Sequence, residues 1–277
     1  MLPVLGCLRA LHMRSGGSVA SMVAASVATF VGAVPLARTE GQPPPAKMPL
    51  AAGWDAGVVL PARLSATLVL LLDLARVPEG RAAVHVLSGL LEHLWAELVE
   101  AQLPTKTAEQ ILHRLSNTYA YGTLRAVHVQ QLEGLFVTLG ISSVLDPLAH
   151  NGFHAHLLAS RGLLVEAADS SPAAACWGGV IPREARATPW EQYGRGWALF
   201  LSWLPHWSEV GFEALNAFQG DVVVVLGDQG DWTGTDRFRE EVNAKWELVG
   251  SWDTKPPWPR VAERLDIYAR KAAHHQA

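Results

Sequence analysis

The chain of 277 residues contains little cysteine and little charge. Its two cysteines, Cys7 and Cys176, exclude a framework of disulfide bridges and a cysteine-rich zinc site. Charged residues make up 17% of the sequence, the net charge is −4, and there is no long Lys/Arg run, which argues against a large nucleic-acid footprint. The sequence also lacks a Gly-x-x-x-x-Gly-Lys-Ser/Thr phosphate loop and a Gly-x-Ser-x-Gly nucleophile elbow, so it matches neither of those enzyme classes.

The first 45 residues have the composition of a targeting segment followed by a linker. No acidic residue precedes Glu40, and arginine, alanine, serine and valine are frequent, as in a mitochondrial or plastid transit peptide. Residues 18–37 form an uncharged run that is also long enough for a signal core or a membrane anchor, which stays open as the alternative. A plain unstructured terminus is the third interpretation, and any membrane contact is expected only through residues 18–37. Removal of this segment would leave one thiol, which points to a reducing compartment.

Hydrophobic residues make up 49% of the chain, which suits a large buried core. Apolar residues at mixed three- and four-residue spacing predict helices over residues 64–75, 82–103, 108–119 and 124–139. We therefore expect a helical lead-in over residues 46–140, an α/β domain over residues 141–270 and a short tail over residues 271–277. The lead-in either roofs a ligand cleft of the α/β domain or serves only its stability.

A nucleotide-binding type of βαβ unit is predicted at the start of the α/β domain. A buried strand ends at Asp146, a tight turn ends at Gly152, and a helix is predicted over residues 154–161. A second strand over residues 164–169 then ends in Asp169. Such a turn lies at the carboxyl edge of a parallel sheet, where sheets of this type bind ligands.

This segment resembles the cofactor-binding motif of class I S-adenosylmethionine-dependent methyltransferases, an acid-x-Gly-x-Gly-x-Gly pattern after the first strand. Asp146 matches the acid and Gly152 matches the third glycine, whereas Leu148 and His150 stand where the first two glycines would be. The resemblance covers about residues 120–270, and is closest to poorly characterised methyltransferase-like proteins with a helical lead-in. It implies that Asp169 binds the ribose hydroxyls of the cofactor, with Ser170 beside it.

The turn residues carry the expected cofactor contacts. Asp146 is expected to organise the loop around the methionine part of the cofactor, and Asn151 to supply left-handed backbone geometry in place of a glycine. His150 could hydrogen-bond the cofactor carboxylate, or it could block the pocket. His154 and His156 lie near this turn, but no acid or cysteine cluster completes a ligand set, so we expect no metal site.

A second set of expected site residues follows the strand predicted to begin at Trp197. His206 and Trp207 are expected to face a methyl acceptor, with His206 as a base for a hydroxyl or a protonated amine. Asp228 lies in the polar, glycine-rich loop 227–234 and could bind an amine or accept a proton, as could Asp231. The tryptophans expected to line a cleft at this edge are Trp203, Trp207 and Trp232.

The remaining elements follow the methyltransferase order. The patterns predict helices over residues 209–218 and 235–244 and strands over residues 222–226, 246–252 and 265–268. The expected fold is α/β: a Rossmann-like methyltransferase fold with a seven-stranded, mostly parallel sheet, an antiparallel last strand and a helical region before it.

Three functional hypotheses follow from this resemblance. The first is a methyltransferase-like protein with S-adenosylmethionine as cofactor and an unidentified small-molecule or protein acceptor. The second, motivated by the missing glycines, is a catalytically inactive binding or scaffold module of the same fold. A dinucleotide-dependent reductase is the third. The sequence makes no prediction about the oligomeric state.

Overall fold

The structure, a computed structural model, describes most of the chain after residue 84. The described residues are 64, 67, 68, 71, 72, 75, 84–103, 105–122, 124–172, 177–230, 232–254 and 261–272. The expected targeting segment and linker over residues 1–45, both cysteines, Asp231 and most of the tail lie outside them, as does most of the helix expected over residues 64–75. Within the described part of the chain, no helix is both long and apolar enough to cross a membrane.

Seven strands form one sheet. In chain order they are β1 Ser143–Asp146, β2 Leu164–Asp169, β3 Val180–Pro182, β4 Trp197–Ser202, β5 Val222–Asp228, β6 Trp246–Asp253 and β7 Glu263–Arg270. Their order across the sheet is β3-β2-β1-β4-β5-β7-β6. The pairs among β1 to β5 are parallel, whereas β7 runs antiparallel to both β5 and β6. This confirms the predicted mostly parallel sheet with an antiparallel last strand.

Six α-helices are described around this sheet. They are α1 Val84–Glu100, α2 Thr105–Thr118, α3 Ala126–Leu139, α4 Phe153–Ala159, α5 Val210–Ala217 and α6 Asp236–Lys245. The helix predicted over residues 154–161 is therefore shorter, and it begins one residue earlier. Helix α3 ends as its sequence predicts, because Gly140 adopts a left-handed conformation with φ of 68° and closes the helix.

Alternating side chains of the strands pack on two different helical layers. On one face, Val144 of β1 and Phe200 of β4 join a core formed with the lead-in helices and α4. On the other face, Leu145 and Leu199 join a core formed with α5 and α6. The lead-in helices therefore pack directly on one face of the sheet and extend its core.

Strand β3 was not predicted from the sequence. It has three residues at the edge of the sheet, and its side chains are exposed or partly exposed. Its last residue, Pro182, has no N–H to donate to a ladder, which confines such a strand to an edge. A three-residue edge strand with little burial leaves almost no hydrophobic period to detect.

The link between α2 and α3 crosses the carboxyl edge of the sheet. A Cβ atom added to Gly122 would lie 2.5 Å from Cδ2 of Leu226, at the end of β5, and 3.1 Å from Oγ of Ser202, at the end of β4. Three residues before Gly122, Tyr119 is 1% exposed, and its ring lies 5.2 Å from the ring of Phe153 in α4. The link is thus seated against three elements of the α/β domain.

Gly122→Ala should lower the free energy of unfolding by about 1–3 kcal/mol, because the added methyl group must displace the Leu226 side chain. Gly134→Ala is the matched control: the same methyl group at Gly134, within α3, meets no atom within 4 Å. There the exchange should be neutral or stabilise by up to about 1 kcal/mol through helix propensity. Urea midpoints at an unchanged m-value measure both effects, and equal stability of the two variants would show that the link is not seated on β5.

Candidate functional site

The carboxyl end of β1 holds a fully buried acid. Asp146 is 1% exposed; its carboxylate accepts a hydrogen bond from the backbone of Leu148, and its Oδ1 atom has no hydrogen-bond partner. The pKa of this carboxyl is raised to about 8, chiefly because burial disfavours the charged form; the Leu148 hydrogen bond opposes this increase, and the nearby charge of Asp169 adds to it. Asp146 is therefore protonated at neutral pH in the absence of a ligand.

The acid that ends β2 holds the turn that follows β1. Oδ2 of Asp169 accepts the backbone N–H of His150 at 2.8 Å, and Oδ1 accepts the backbone N–H of Ser171 at 2.9 Å. The Ala149 N–H donates to the carbonyl of Ala168 at 2.9 Å, so the turn is bound to β2 at two successive positions. Asp169 itself is partly exposed, and Ser170 beside it is exposed.

The left-handed residues of the turn are His150 and Gly152, with φ of 54° and 79°. The expectation that Asn151 supplies this geometry is wrong. Asn151 is 1% exposed, its Oδ1 accepts the N–H of Phe153 at 3.2 Å and its Nδ2 donates to the carbonyl of Asn117 at 3.2 Å. It therefore holds the start of α4 and ties the turn to the end of α2.

The two other turn positions have packing roles that the structure makes visible. A Cβ atom at Gly152 would lie 2.5 Å from Cγ2 of Val180. Glycine at this position therefore permits both the positive φ and the close approach of β3. Leu148, at the position of the first motif glycine, is partly buried against the core that α5 and α6 share with the sheet. The structure thus brings all the expected cofactor residues to one edge, next to the junction of β1 and β4.

The link between α2 and α3 supplies residues that sequence reasoning missed. The ring of Tyr121 lies 5.6 Å from the ring of His150 in an edge-on contact, and 40% of Tyr121 is exposed. Nε2 of the buried His154 lies 3.2 Å from the carbonyl oxygen of Gly122, and burial lowers the His154 pKa to about 4. The only signal in the sequence is a Tyr-Ala-Tyr-Gly run between two helices, which does not by itself reveal a position over β1.

The loops that follow β4 and β5 are joined into one surface at the carboxyl edge of the sheet, which we call the β4–β5 wall. Trp203 adopts a left-handed conformation with φ of 47°, which is an outlier for a bulky residue. Its backbone N–H donates to the Leu226 carbonyl at 2.8 Å, and its indole N–H donates to the buried carboxylate of Glu263. These contacts fix the direction in which the chain leaves β4.

Three aromatic rings stand on this wall. An antiparallel bridge joins Pro205 to Thr233, which brings together the loops that follow β4 and β5. The His206 ring contacts the rings of Trp207 and Trp232 at 4.7 and 5.8 Å, nearly perpendicular to each. Trp207 and Trp232 are 78% and 62% exposed, so two large aromatic surfaces are available at the carboxyl edge.

Two cavities adjoin this wall. One of about 420 Å³ lies between His206, Trp207 and the start of α6. Another of about 160 Å³ is lined by Asp228 and residues of β7 and α6. The volume of the first suits a small molecule.

Asp228 is already engaged in holding its loop. It is 7% exposed, and its two carboxylate oxygens accept the N–H of Gly230 at 3.0 Å and of Ala262 at 2.8 Å. Its backbone N–H is also bound, by the hydroxyl of Thr233. In the part of the chain that the structure describes, no three His, Cys, Asp or Glu side chains are grouped as metal ligands.

The sheet itself identifies the architecture. It has the seven strands and the single reversed direction expected of the methyltransferase family, and its acids lie at the ends of β1 and β2. The chain has a class I methyltransferase-like fold. No protein-family model matches the chain, and a search of curated proteins finds no match.

Two solved structures with some likeness to this chain are methyltransferases. The 1,6-didemethyltoxoflavin N1-methyltransferase of Burkholderia thailandensis, with bound 1,6-didemethyltoxoflavin and S-adenosylhomocysteine, is 17% identical over 61% of this chain and 91% of its own, at a TM-score of 0.36. An S-adenosylmethionine-dependent methyltransferase of Leishmania major is 13% identical over 64% of this chain and 82% of its own, at a TM-score of 0.37. The fold follows from the strand order of this chain's own sheet, β3-β2-β1-β4-β5-β7-β6, with β7 as the one antiparallel strand.

Asp146→Asn should change how stability depends on pH. In the folded protein the Asp146 carboxyl keeps its proton up to about pH 8, whereas the unfolded chain loses it near pH 4. Between these values unfolding releases a proton, so the free energy of unfolding of the wild type falls, relative to that of the variant, by up to about 1.4 kcal/mol per pH unit. Urea unfolding of both proteins at about pH 6, 7 and 8 measures this difference.

The comparison between the two proteins isolates Asp146. His154 works in the opposite direction below its ordinary pKa, because the unfolded chain takes up a proton there that the folded protein excludes. Both proteins contain His154, so its contribution cancels in the difference. A stability difference that stays constant from about pH 6 to 8 would mean that Asp146 is ionised in the folded protein.

Proposed function

We propose that this protein binds S-adenosylmethionine and transfers its methyl group to a small-molecule or protein acceptor. The observation that carries the proposal is the position of the Asp169 carboxylate, which accepts the His150 N–H at 2.8 Å and so stands beside the β1–α4 turn. A carboxylate has about four lone-pair sites, so two remain for a pair of ribose hydroxyls after its two backbone hydrogen bonds. Ligands of this sheet type bind at the same edge.

The residues of the turn fit such a ligand. The Oδ1 atom of Asp146 is buried without a partner, and His150, at the position of the second motif glycine, adopts a left-handed backbone as Gly152 does. The residues proposed to hold the cofactor are Asp146, Leu148, His150, Asn151, Gly152, Asp169 and Ser170. Among them Asn151 acts through the turn, because both ends of its amide are bound within the protein.

The proposed acceptor side is the wall after β4 and β5. Bound S-adenosylmethionine supplies a methyl group on a sulfonium centre that is already activated, so positioning provides most of the catalysis. His206 is exposed and could take the proton of a hydroxyl or ammonium acceptor, while Trp207 offers a face to a planar part of it. Asp228, with both oxygens bound to backbone, would act by positioning this loop.

A second function, a binding or scaffold module without turnover, is supported by the side chains that replace the first two motif glycines. Leu148 packs against the core that α5 and α6 share with the sheet, and the Nδ1 atom of His150 is buried. If these side chains keep that arrangement, the methionine part of the cofactor has no room. Absence of S-adenosylhomocysteine binding by well-folded protein would favour this second function.

Asp169→Asn should weaken S-adenosylhomocysteine binding by about tenfold or more, since a charged acceptor of ribose hydroxyls is lost. Calorimetric titration of the full chain measures the dissociation constant. Asp221→Asn is the matched control, because Asp221 precedes β5 at the opposite edge of the sheet and its side chain is 63% exposed.

A ligand analogue distinguishes loss of the Asp169 contact with the ribose from a change in the conformation of the turn. Asp169→Asn should weaken the 2′-deoxy analogue of S-adenosylhomocysteine less than the parent, because that analogue makes one hydroxyl contact fewer. Unchanged affinity for the parent compound in Asp169→Asn would show that this carboxylate does not bind the ribose.

A further inference from the structure

The β4–β5 wall presents two indole rings to solvent at the edge where sheets of this type bind ligands. Trp207 and Trp232 are 78% and 62% exposed, and the ring of His206 contacts both, at 4.7 and 5.8 Å. Large apolar side chains exposed together mark a surface that a ligand or partner covers. Because a flat ring can stack on the face of an indole, this pair is typical of a site for a planar molecule.

The loops that carry the two indole rings are fixed to each other within the protein. The bridge between Pro205 and Thr233 joins them, and the Gly234 N–H donates to the Leu204 carbonyl at 3.0 Å beside it. A surface that is ordered before binding loses less conformational entropy when a ligand arrives. The wall can therefore select a ligand by its shape.

Charged side chains next to the rings are paired with one another. The cavity of about 420 Å³ beside Trp207 is lined by two arginines and two acids. Nη2 of Arg239 donates to Oδ1 of Asp236 at 2.6 Å, and Nη1 of Arg237 lies 4.0 Å from Oε2 of Glu209. A cationic ligand would meet both arginines, and an anionic ligand would meet both acids. This balanced lining favours an uncharged ligand.

Both guanidinium groups are also held by further contacts. Nη1 of Arg239 donates to the carbonyls of Thr233 and Gly234 at 3.1 and 3.0 Å. The guanidinium carbon of Arg237 lies 4.1 Å from the centre of the Phe212 ring. An anionic ligand would have to compete with these contacts, so the arginines are poorly placed to recruit one.

We propose that the methyl acceptor is a neutral, planar heteroaromatic molecule with a ring N–H or O–H group, held by the indole rings of Trp207 and Trp232. This inference rests on the proposed function, because it names the acceptor class of the same site. In the transfer, the acceptor nitrogen or oxygen bonds to the methyl carbon while the carbon–sulfur bond breaks and its electron pair stays on sulfur. His206, in contact with both indole rings, takes the proton of the acceptor.

Three probes with the same bicyclic ring test the ligand class. Quinoline is uncharged at neutral pH, N-methylquinolinium carries a positive charge, and quinoline-6-carboxylate carries a negative one. Calorimetric titration of the full chain, with and without S-adenosylhomocysteine, measures their dissociation constants. Quinoline should bind about fivefold or more tightly than either charged probe.

Side-chain variants locate the binding site. Trp207→Leu and Trp232→Leu should each weaken quinoline by about fivefold or more, because each removes a stacking surface. Leu248→Ala is the matched control: it removes an exposed apolar side chain of β6, where Leu248 is 51% exposed, and should leave the affinity for quinoline unchanged. Circular dichroism of each variant confirms that the fold is retained.

The outcomes separate the inference from the proposed function. Tighter binding of N-methylquinolinium would show an ammonium site, and tighter binding of quinoline-6-carboxylate would show an anion site. Quinoline that fails to bind, or whose affinity neither tryptophan variant changes, would show that the indole rings do not form the site. Each of these results overturns the inference while S-adenosylhomocysteine binding, and with it the proposed function, stands. Absence of S-adenosylhomocysteine binding by protein that still binds quinoline overturns the proposed function and the role of the planar ligand as methyl acceptor.

Discussion

The hydrogen bond from the His150 N–H to the Asp169 carboxylate is the contact on which the geometry of the site depends. It joins the first strand–helix turn to the end of the neighbouring strand, and it requires His150 to adopt a left-handed backbone. A residue other than glycine pays a conformational cost there, which the charged hydrogen bond offsets. The ribose-binding acid and the turn that would flank the cofactor are therefore one unit.

The lead-in helices are attached to this unit by contacts between polar groups, in addition to the shared core. Asn151 donates to the Asn117 carbonyl, and the Trp177 indole donates to the Thr118 carbonyl at 2.7 Å, so the end of α2 is held by the turn and by the segment that precedes β3. Gly122 continues this link over the ends of β4 and β5. Packing on the sheet and covering its carboxyl edge, which the sequence analysis left as separate roles of the lead-in, are thus compatible in one segment.

The sequence predicts those parts of the fold that follow from periodic burial. Alternation and apolar runs place β2 at the residues where it is found, and the reversal of β7 follows from the resemblance. Strand β3 has too few residues to show a hydrophobic period. The left-handed conformation is adopted by His150 and not by Asn151, because the Asn151 side chain is bound inside the protein. Tyr121 faces His150 only through tertiary packing, which no local pattern encodes.

The two missing motif glycines have different physical consequences. At position 148 the side chain turns into the core, so the backbone there loses little by carrying a Cβ atom. At position 150 the backbone keeps glycine-like geometry, and what has been added is an imidazole with a buried, unpartnered nitrogen. A ring that merely filled the pocket would gain nothing from burying that nitrogen, because an unsatisfied polar atom costs about 1–3 kcal/mol. A hydrogen-bond partner supplied by a ligand or by water would remove that cost.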